Sequence, residues 1–191
     1  MIKEPNLYVA LLHDKMVDKT GKMVTTSVTL IDVHDIARSS RTFGAGSLFV
    51  VHPSQTIRAL VRAVKEHWDS GFGSTYNPNR QDALGVLSIV SDLDEAILQI
   101  ERKTGHLPKL IATSAKDGEE RVSYSTMRSE ISQTDAPFLL MFGTGWGMSD
   151  ELMERANYVL KPIDGPTGYN HLSVRAACAI ILDRLAGVRA E

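Results

Sequence analysis

Unbroken apolar runs of strand length alternate along this chain with stretches of helical period, and that alternation limits the fold more than any other feature. Residues 7–12, 47–52, 86–90, 109–113 and 138–142 are the strand-like runs. Between them apolar residues recur at helical spacing: Ile57, Leu60, Val61 and Val64 in one segment, Leu93, Ala96, Ile97 and Ile100 in another. Strands alternating with helices imply crossover connections, because parallel neighbours cannot be joined by a tight turn. The expected architecture is α/β: a mainly parallel sheet covered by helices on both faces.

Terminal signals set the expected boundaries. Asp32 reads as the N-cap of a helix that ends at Gly44, where a glycine suits the left-handed position past a helix C-terminus. Ser54 should cap a helix reaching about Ser70, and Ser91 a helix over residues 92–103. Lys15, Lys19 and Lys22 punctuate a polar loop after the first strand. Residues 71–80, GFGSTYNPNR, read as a loop from their Gly, Asn and Pro content, and residues 125–133 as a short helix. With 191 residues, 43% of them hydrophobic, the chain has enough apolar material for one domain over residues 1–191.

A formal net charge of -2 gives no global field that would draw in nucleic acid, so an RNA partner needs a local basic patch. The single cysteine, Cys178, excludes an internal disulfide and a zinc knuckle. Set among Ala176, Ala177, Ala179 and Ile180, it reads as a small buried hydrophobe. The histidines show no metal-ligand spacing, so no metal is expected. No window of ~18 apolar residues and no signal-peptide core occur, which points to a cytoplasmic protein without a membrane span.

The last quarter carries the functional signal. The run Phe138–Phe142 empties into Gly143-Thr144-Gly145-Trp146-Gly147. A short polar helix and a brief strand, 158–160, follow, and then a Pro/Gly loop. Tyr169-Asn170-His171 open a long apolar helix that runs to Leu185. Two tight loops at the C-terminal ends of two strands offer backbone donors and acceptors where an open α/β sheet takes its ligand. The glycine spacing is wrong for the dinucleotide fingerprint, and no Gly-Lys-Ser/Thr phosphate loop occurs. Residues 13–21 carry Asp14, Lys15, Asp18 and Lys19 rather than a Ser/Thr-rich phosphate loop. No GxSxG elbow supports hydrolase chemistry. A ligand held by backbone groups without a phosphate cradle remains, and S-adenosylmethionine (SAM) suits that. The final helix has few polar positions, Ser173, Arg175, Asp183 and Arg184, and so needs cover on two sides. The sheet supplies one; a second subunit or the interior of a monomer supplies the other.

The segments FGTGWGM, LKPIDG and YNHLSVRAACAIILDRL resemble the SPOUT class of α/β-knot RNA methyltransferases, and within it the stand-alone bacterial subfamily. Residues 32–44, DVHDIARSSRTFG, are similar to that class's first motif, a polar residue six before an arginine and a glycine six after it. The resemblance implies a C-terminal deep trefoil knot, a bent SAM within it, an obligate homodimer, and methyl transfer to a tRNA or rRNA nucleotide. Carried onto this chain, the cofactor site would use Thr113 and Ser114, then Phe142, Gly143, Thr144, Gly145 and Gly147. Leu160, Pro162, Ile163 and Gly165 would lie in the knot loop, and Tyr169, Asn170, His171, Leu172 and Ser173 at the start of the last helix. Asn170 or Ser173 could equally serve as that helix's cap.

On the acceptor side the resemblance implies Arg38, with Arg41 three positions on as the substitute. Asp32 stands where many relatives carry asparagine; a carboxylate can take a proton from a guanine ring nitrogen, whereas an amide only orients. Asp35 is the rival base, and each of these also fits a solvated helix charge or cap. Arg58, Arg62 and Lys65 form one basic stripe, equally readable as a solvated helix face, and Tyr76 and Arg80 add a stacking ring and a cation for RNA. The competing function is a non-catalytic dimeric SAM- or nucleotide-binding module that acts with RNA or a partner protein. An enzyme would lose turnover on Arg38→Ala, and such a module would have none to lose.

Overall fold

The computed structural model describes residues 6–71 and 77–188. Its main sheet has six strands in the order β5 (Leu87–Val90), β4 (Leu48–Val51), β1 (Leu7–Leu12), β7 (Phe138–Phe142), β6 (Lys109–Ala112), β8 (Tyr158–Val159). Every neighbouring pair is parallel. The strands of the centre are apolar throughout because both of their faces are covered. Leu7, Val9 and Leu11 pack with Phe138, Leu140 and Phe142 on one face, and Tyr8, Ala10 and Leu12 with Leu139 and Met141 on the other.

The first face is covered by α1 (Leu30–Thr42), α2 (Gln55–Asp69), α3 (Pro78–Gly85), α5 (Tyr124–Ser132) and α7 (Val174–Ala186). The second is covered by α4 (Leu93–Thr104) and α6 (Asp150–Glu154). Helix α7 lies against α1 and α5 and buries Cys178, Ile181, Leu182 and Leu185. Burial pushes the Cys178 thiol far up, so the sulfur is an inert core atom, as its apolar surroundings in the sequence indicate.

Several boundaries differ from the sequence reading, each for a local reason. Helix α1 starts at Leu30 after Thr29, which places Asp32 inside the first turn and not at the cap. Gly44 takes the left-handed conformation expected of it, with φ of 71°. Asp92, not Ser91, caps α4, its carboxylate accepting from the Glu95 amide at 2.9 Å. Along α2 only Val61 is fully buried, and Leu60 is 47% exposed. The loop expected over residues 71–80 gives way at its end to α3, because Asn77-Pro78 is a cap followed by a first-turn proline as well as a turn signal. Arg80 is therefore helical, and Tyr76 lies outside the described residues. The polar stretch after β1 contains a small hairpin, β2 (Met16–Val17) against β3 (Met23–Val24). Strands of two residues carry no readable period. The last helix begins at Val174, so Tyr169, Asn170 and His171 belong to the loop before it.

The outer edge is held in an unusual way. Leu160 N donates to Ala112 O at 3.0 Å on the β6 side. On the other side Val122 N donates to Val159 O at 2.8 Å, and Lys161 N to Val122 O at 3.0 Å. The end of β8 thus lies between β6 and a segment that has left β6 and come back around it.

Candidate functional site

From β1 the chain builds outward through β4 to β5, then fills the opposite side with β6, β7 and β8. The reversal lies between β1 and β7, and ligands of open α/β sheets sit beyond the C-terminal ends of strands at such a point. His13 follows β1 there and Thr144 follows β7. His13 Nδ1 is 3.0 Å from Thr26 Oγ1, Thr26 Oγ1 is 2.5 Å from Thr144 Oγ1, and Thr144 Oγ1 donates to Leu12 O at 3.0 Å. Since the Leu12 carbonyl can only accept, the Thr144 proton goes to it. Thr26 then donates to Thr144, and His13 Nδ1–H donates to Thr26. This leaves His13 Nε2 a bare, buried acceptor with no partner among the described residues.

His52 completes the cluster. Its Nε2 donates to Thr26 O at 3.1 Å while its Nδ1 accepts from Ser54 N at 3.0 Å, which fixes the neutral tautomer. Burial of His13, reinforced by nearby His52 and partly opposed by Asp32, lowers its pKa from 6.5 to about 4. The His13 ring is therefore uncharged at neutral pH.

The hairpin and the glycine-rich loop clasp each other. Trp146 N donates to Val17 O at 3.2 Å, Val17 N to Gly147 O at 2.9 Å, and Ser149 N to Lys15 O at 3.0 Å. Gly145 and Gly147 have φ of 61° and 111°, values that an L side chain resists. A Cβ on Gly145 would come within 3.2 Å of Thr26 Cγ2. Gly143 serves the interior, since a Cβ there would stand 2.8 Å from Met148 Cγ. Phe142 is buried in the core, and Thr144 directs its hydroxyl inward.

Because β7, β6 and β8 are neighbours, the loops after them gather at one edge of the sheet. Thr113 Oγ1 donates to Met141 O at 2.9 Å, and Ser114 Oγ accepts from Lys116 N at 3.0 Å. Asn170 Nδ2 donates to Ala115 O at 2.6 Å, fastening the last loop to the one after β6. Tyr169 and His171 meet edge to face at 5.7 Å. Ser173 caps α7, accepting from Ala176 N at 3.4 Å, and Leu172 stays 42% exposed. Leu160 and Pro162 are buried and Ile163 is half-buried. Among the described residues the N–H groups of Ile163, Asp164, Gly165 and Gly168 have no partner in the protein. Free amides beside apolar side chains fit the edge and face of an adenine, and this loop set carries no phosphate cradle.

Arg175, on the first turn of α7, donates from Nη1 to Asp32 Oδ1 at 2.9 Å, and its Nε stands 3.5 Å from Asp35 Oδ2. The two candidate bases therefore share one arginine. Arg38 is exposed and has no hydrogen-bond or ion-pair partner among the described residues, whereas Arg41 Nε donates to Asp82 Oδ2 at 2.9 Å. The expected basic stripe is largely engaged. Arg58 Nη1 donates to the carbonyls of His52 and Pro53 at 2.8 and 2.6 Å, and Lys65 Nζ to Leu87 O at 2.7 Å. Arg80 lies over the Trp68 ring at 4.5 Å, and Arg62 is exposed. Sequence reasoning missed His13, Thr26 and Arg175; a histidine closing an apolar strand was the one available sign.

Two clefts are less suited to a nucleoside. One of about 40 Å³ near Asp14, Asp92 and Arg155 is too small for a nucleoside. Another of about 380 Å³, near Asn6, Phe43 and Arg128, opens at the N-terminal ends of the strands, where this architecture does not place ligands. Among the described residues no helix is long and apolar enough to cross a membrane, and no three His, Cys, Asp or Glu side chains gather as metal ligands.

A family model described as SAM-dependent RNA methyltransferase matches residues 6–187. The chain is 44% identical over 182 residues to a protein of Nitratidesulfovibrio vulgaris named tRNA (guanine-N(1)-)-methyltransferase, covering 95% of this chain but 42% of that one. It thus spans less than half the length of that relative. A protein of Aquifex aeolicus is 41% identical over 185 residues, covering 97% of this chain and 90% of its own length. In fold, the chain resembles a SpoU methyltransferase of Streptomyces viridochromogenes solved in complex with AdoMet. That likeness has a TM-score of 0.57 at 15% identity, over 97% of this chain and 58% of the other.

Proposed function

Because the chain belongs to the family of SAM-dependent RNA methyltransferases, we propose that SAM binds across the loops after β6, β7 and β8 and that the methyl acceptor is a tRNA or rRNA nucleotide. The observation that carries this reading is the gathering of those loops at one edge, with the unpartnered amides of Ile163, Asp164, Gly165 and Gly168 beside Leu160 and Pro162. Gly145, Gly147 and Gly165 let backbone approach the adenosine, while Thr113, Ser114, Tyr169, Asn170, His171 and Leu172 form the rim. The name of the Nitratidesulfovibrio relative favours tRNA over rRNA.

The path of the chain around the end of β8 supports a C-terminal trefoil knot: the loop that leaves Ala112 returns at Val122 with Leu160 between them. A homodimer is the state we assign, since Ile31 and Leu172, flanking the α1–α7 contact, are 52% and 42% exposed in the single chain. The whole of residues 1–191 is read as one catalytic domain.

When bound, SAM supplies an activated methyl group for in-line displacement, so the protein's part is positioning and the handling of one proton. Arg38, free and exposed, is placed to hold the RNA. Asp32 or Asp35 takes the acceptor's proton, with Arg175 orienting both carboxylates and releasing one as charge changes. Arg41, tied to Asp82, is the weaker candidate.

Calorimetric titration with SAM tests the site. About one cofactor per chain should bind, and Gly145→Val, which forces a β-branched residue into φ of 61° against Thr26, should weaken it at least tenfold. Absence of binding by the native protein, with or without added tRNA, would sink the reading.

A further inference from the structure

Trp146 is 63% exposed, yet it is presented rigidly. Its own N–H is bonded to Val17 O, and the following residue bonds on both sides, Gly147 N donating to Thr144 O at 3.2 Å and Gly147 O accepting from Val17 N. Among the described residues its ring has no aromatic, cationic or hydrogen-bonding partner. A large apolar ring held out in water by a clasped backbone is a surface waiting for a flat apolar partner.

The charge around it selects that partner. Trp146 is bonded to β2 of the hairpin whose turn carries Lys19 and Lys22, both exposed and unpaired among the described residues. The acid that precedes them in the turn is already occupied: Asp18 Oδ1 accepts from Thr20 N, Thr20 Oγ1 and Lys22 N at 2.7, 2.6 and 3.0 Å. Those bonds hold the Asp18 carboxyl below its usual range, so it stays an acceptor that shapes the turn. An exposed ring whose backbone is bonded to a hairpin carrying two free ammonium groups is the combination that takes an unpaired base and the phosphates next to it.

Resting on the RNA methyltransferase reading, we infer that Trp146 stacks on an unpaired base of the RNA substrate, with Lys19 and Lys22 of the β2–β3 hairpin contacting the flanking phosphates. This moves the RNA-contact surface from the α2 stripe, where Arg58 and Lys65 are tied to backbone carbonyls, to the hairpin and the cofactor loop. The base is thereby delivered next to the loop that we assign to SAM.

The chain has two tryptophans, so Trp68→Phe leaves Trp146 as the single tryptophan, read by excitation beyond the tyrosine band. That variant is titrated with oligoadenylate, with an abasic oligomer of equal length, and with SAM alone. Stacking predicts quenching by oligoadenylate and none by the abasic oligomer. Trp146→Ala should bind oligoadenylate about tenfold more weakly with SAM affinity unchanged. Replacing Lys19 and Lys22 with alanine should lower the slope of log K against log salt by roughly 0.7 for each lysine. RNA binding that is equal in the native protein and Trp146→Ala overturns the proposal and leaves the methyltransferase reading intact. So does an emission that depends only on protein concentration, as burial by a second copy would give. Failure of the native protein to bind or methylate any RNA defeats both.

Discussion

Thr26 Oγ1 stands 2.5 Å from Thr144 Oγ1, a contact between residues 118 positions apart that fixes the glycine-rich loop to the hairpin. Thr26→Val removes the middle of the relay and leaves the Thr144 and His13 groups without their partner. Leaving such groups unpaired costs about 1–3 kcal/mol. The expected result is lower thermal stability together with weaker SAM binding. Adding Thr144→Val should cost less than the sum of the two single changes, because both hydroxyls are then gone. Strict additivity in unfolding measurements would mean that the hydroxyls act independently.

His13 makes stability depend on pH in a defined window. Its pKa lies near 6.5 when unfolded and at about 4 when folded. Between those values the unfolded chain binds the extra proton, so this contribution is complete above the unfolded pKa and fades as pH falls through the folded one. Its full size is about 3 kcal/mol. Urea unfolding across that window should show a steeper loss for the native protein than for His13→Asn, whose amide keeps a donor near Thr26 but does not titrate. Parallel curves for the two proteins would refute the assignment.

Arg38 and Arg175 should separate cleanly. Arg38 has no partner in the described residues, so Arg38→Ala should change stability by about 0.5 kcal/mol or less. It should keep SAM binding and lose methyl transfer by roughly 100-fold, the scale of one acid–base or positioning contribution. Arg175→Met strips Asp32 and Asp35 of their shared cation and should cost about 1–3 kcal/mol as well as turnover. Thermal unfolding and single-turnover methylation give the two readings. Unchanged turnover in Arg38→Ala would shift the acceptor role to another residue.

The sheet and its strand-length runs were legible because each central strand is apolar on both faces. The crossovers on either side, such as α4 with Leu93, Ala96 and Ile100 turned inward, were legible for the same reason. The Gly145-Trp146-Gly147 turn was legible as a turn, and Gly44 as a helix stop, because positive φ selects glycine. The hairpin was hidden, since two-residue strands leave no period and Lys15 takes a positive φ without being glycine. Asn77-Pro78 looked like a loop because a helix start and a turn use the same two residues. The basic stripe on α2 had the right spacing, but sequence gives no view of the carbonyls that Arg58 and Lys65 reach. Nothing local joins Thr26 to Thr144 or Arg175 to Asp32; those pairs exist only once the sheet has brought distant segments together.

The clasp between the hairpin and residues 143–149 also orders events during synthesis. Residue 26 is made early, but it has nothing to hold until β7 has emerged and paired beside β1. Contacts of such sequence separation close late and slowly. A nascent chain therefore lacks the shaped loop for most of its elongation, and SAM becomes a ligand of the finished molecule alone. Once bound, it favours the state in which the last segments are docked, so supply of the cofactor would bear on how long newly made protein survives.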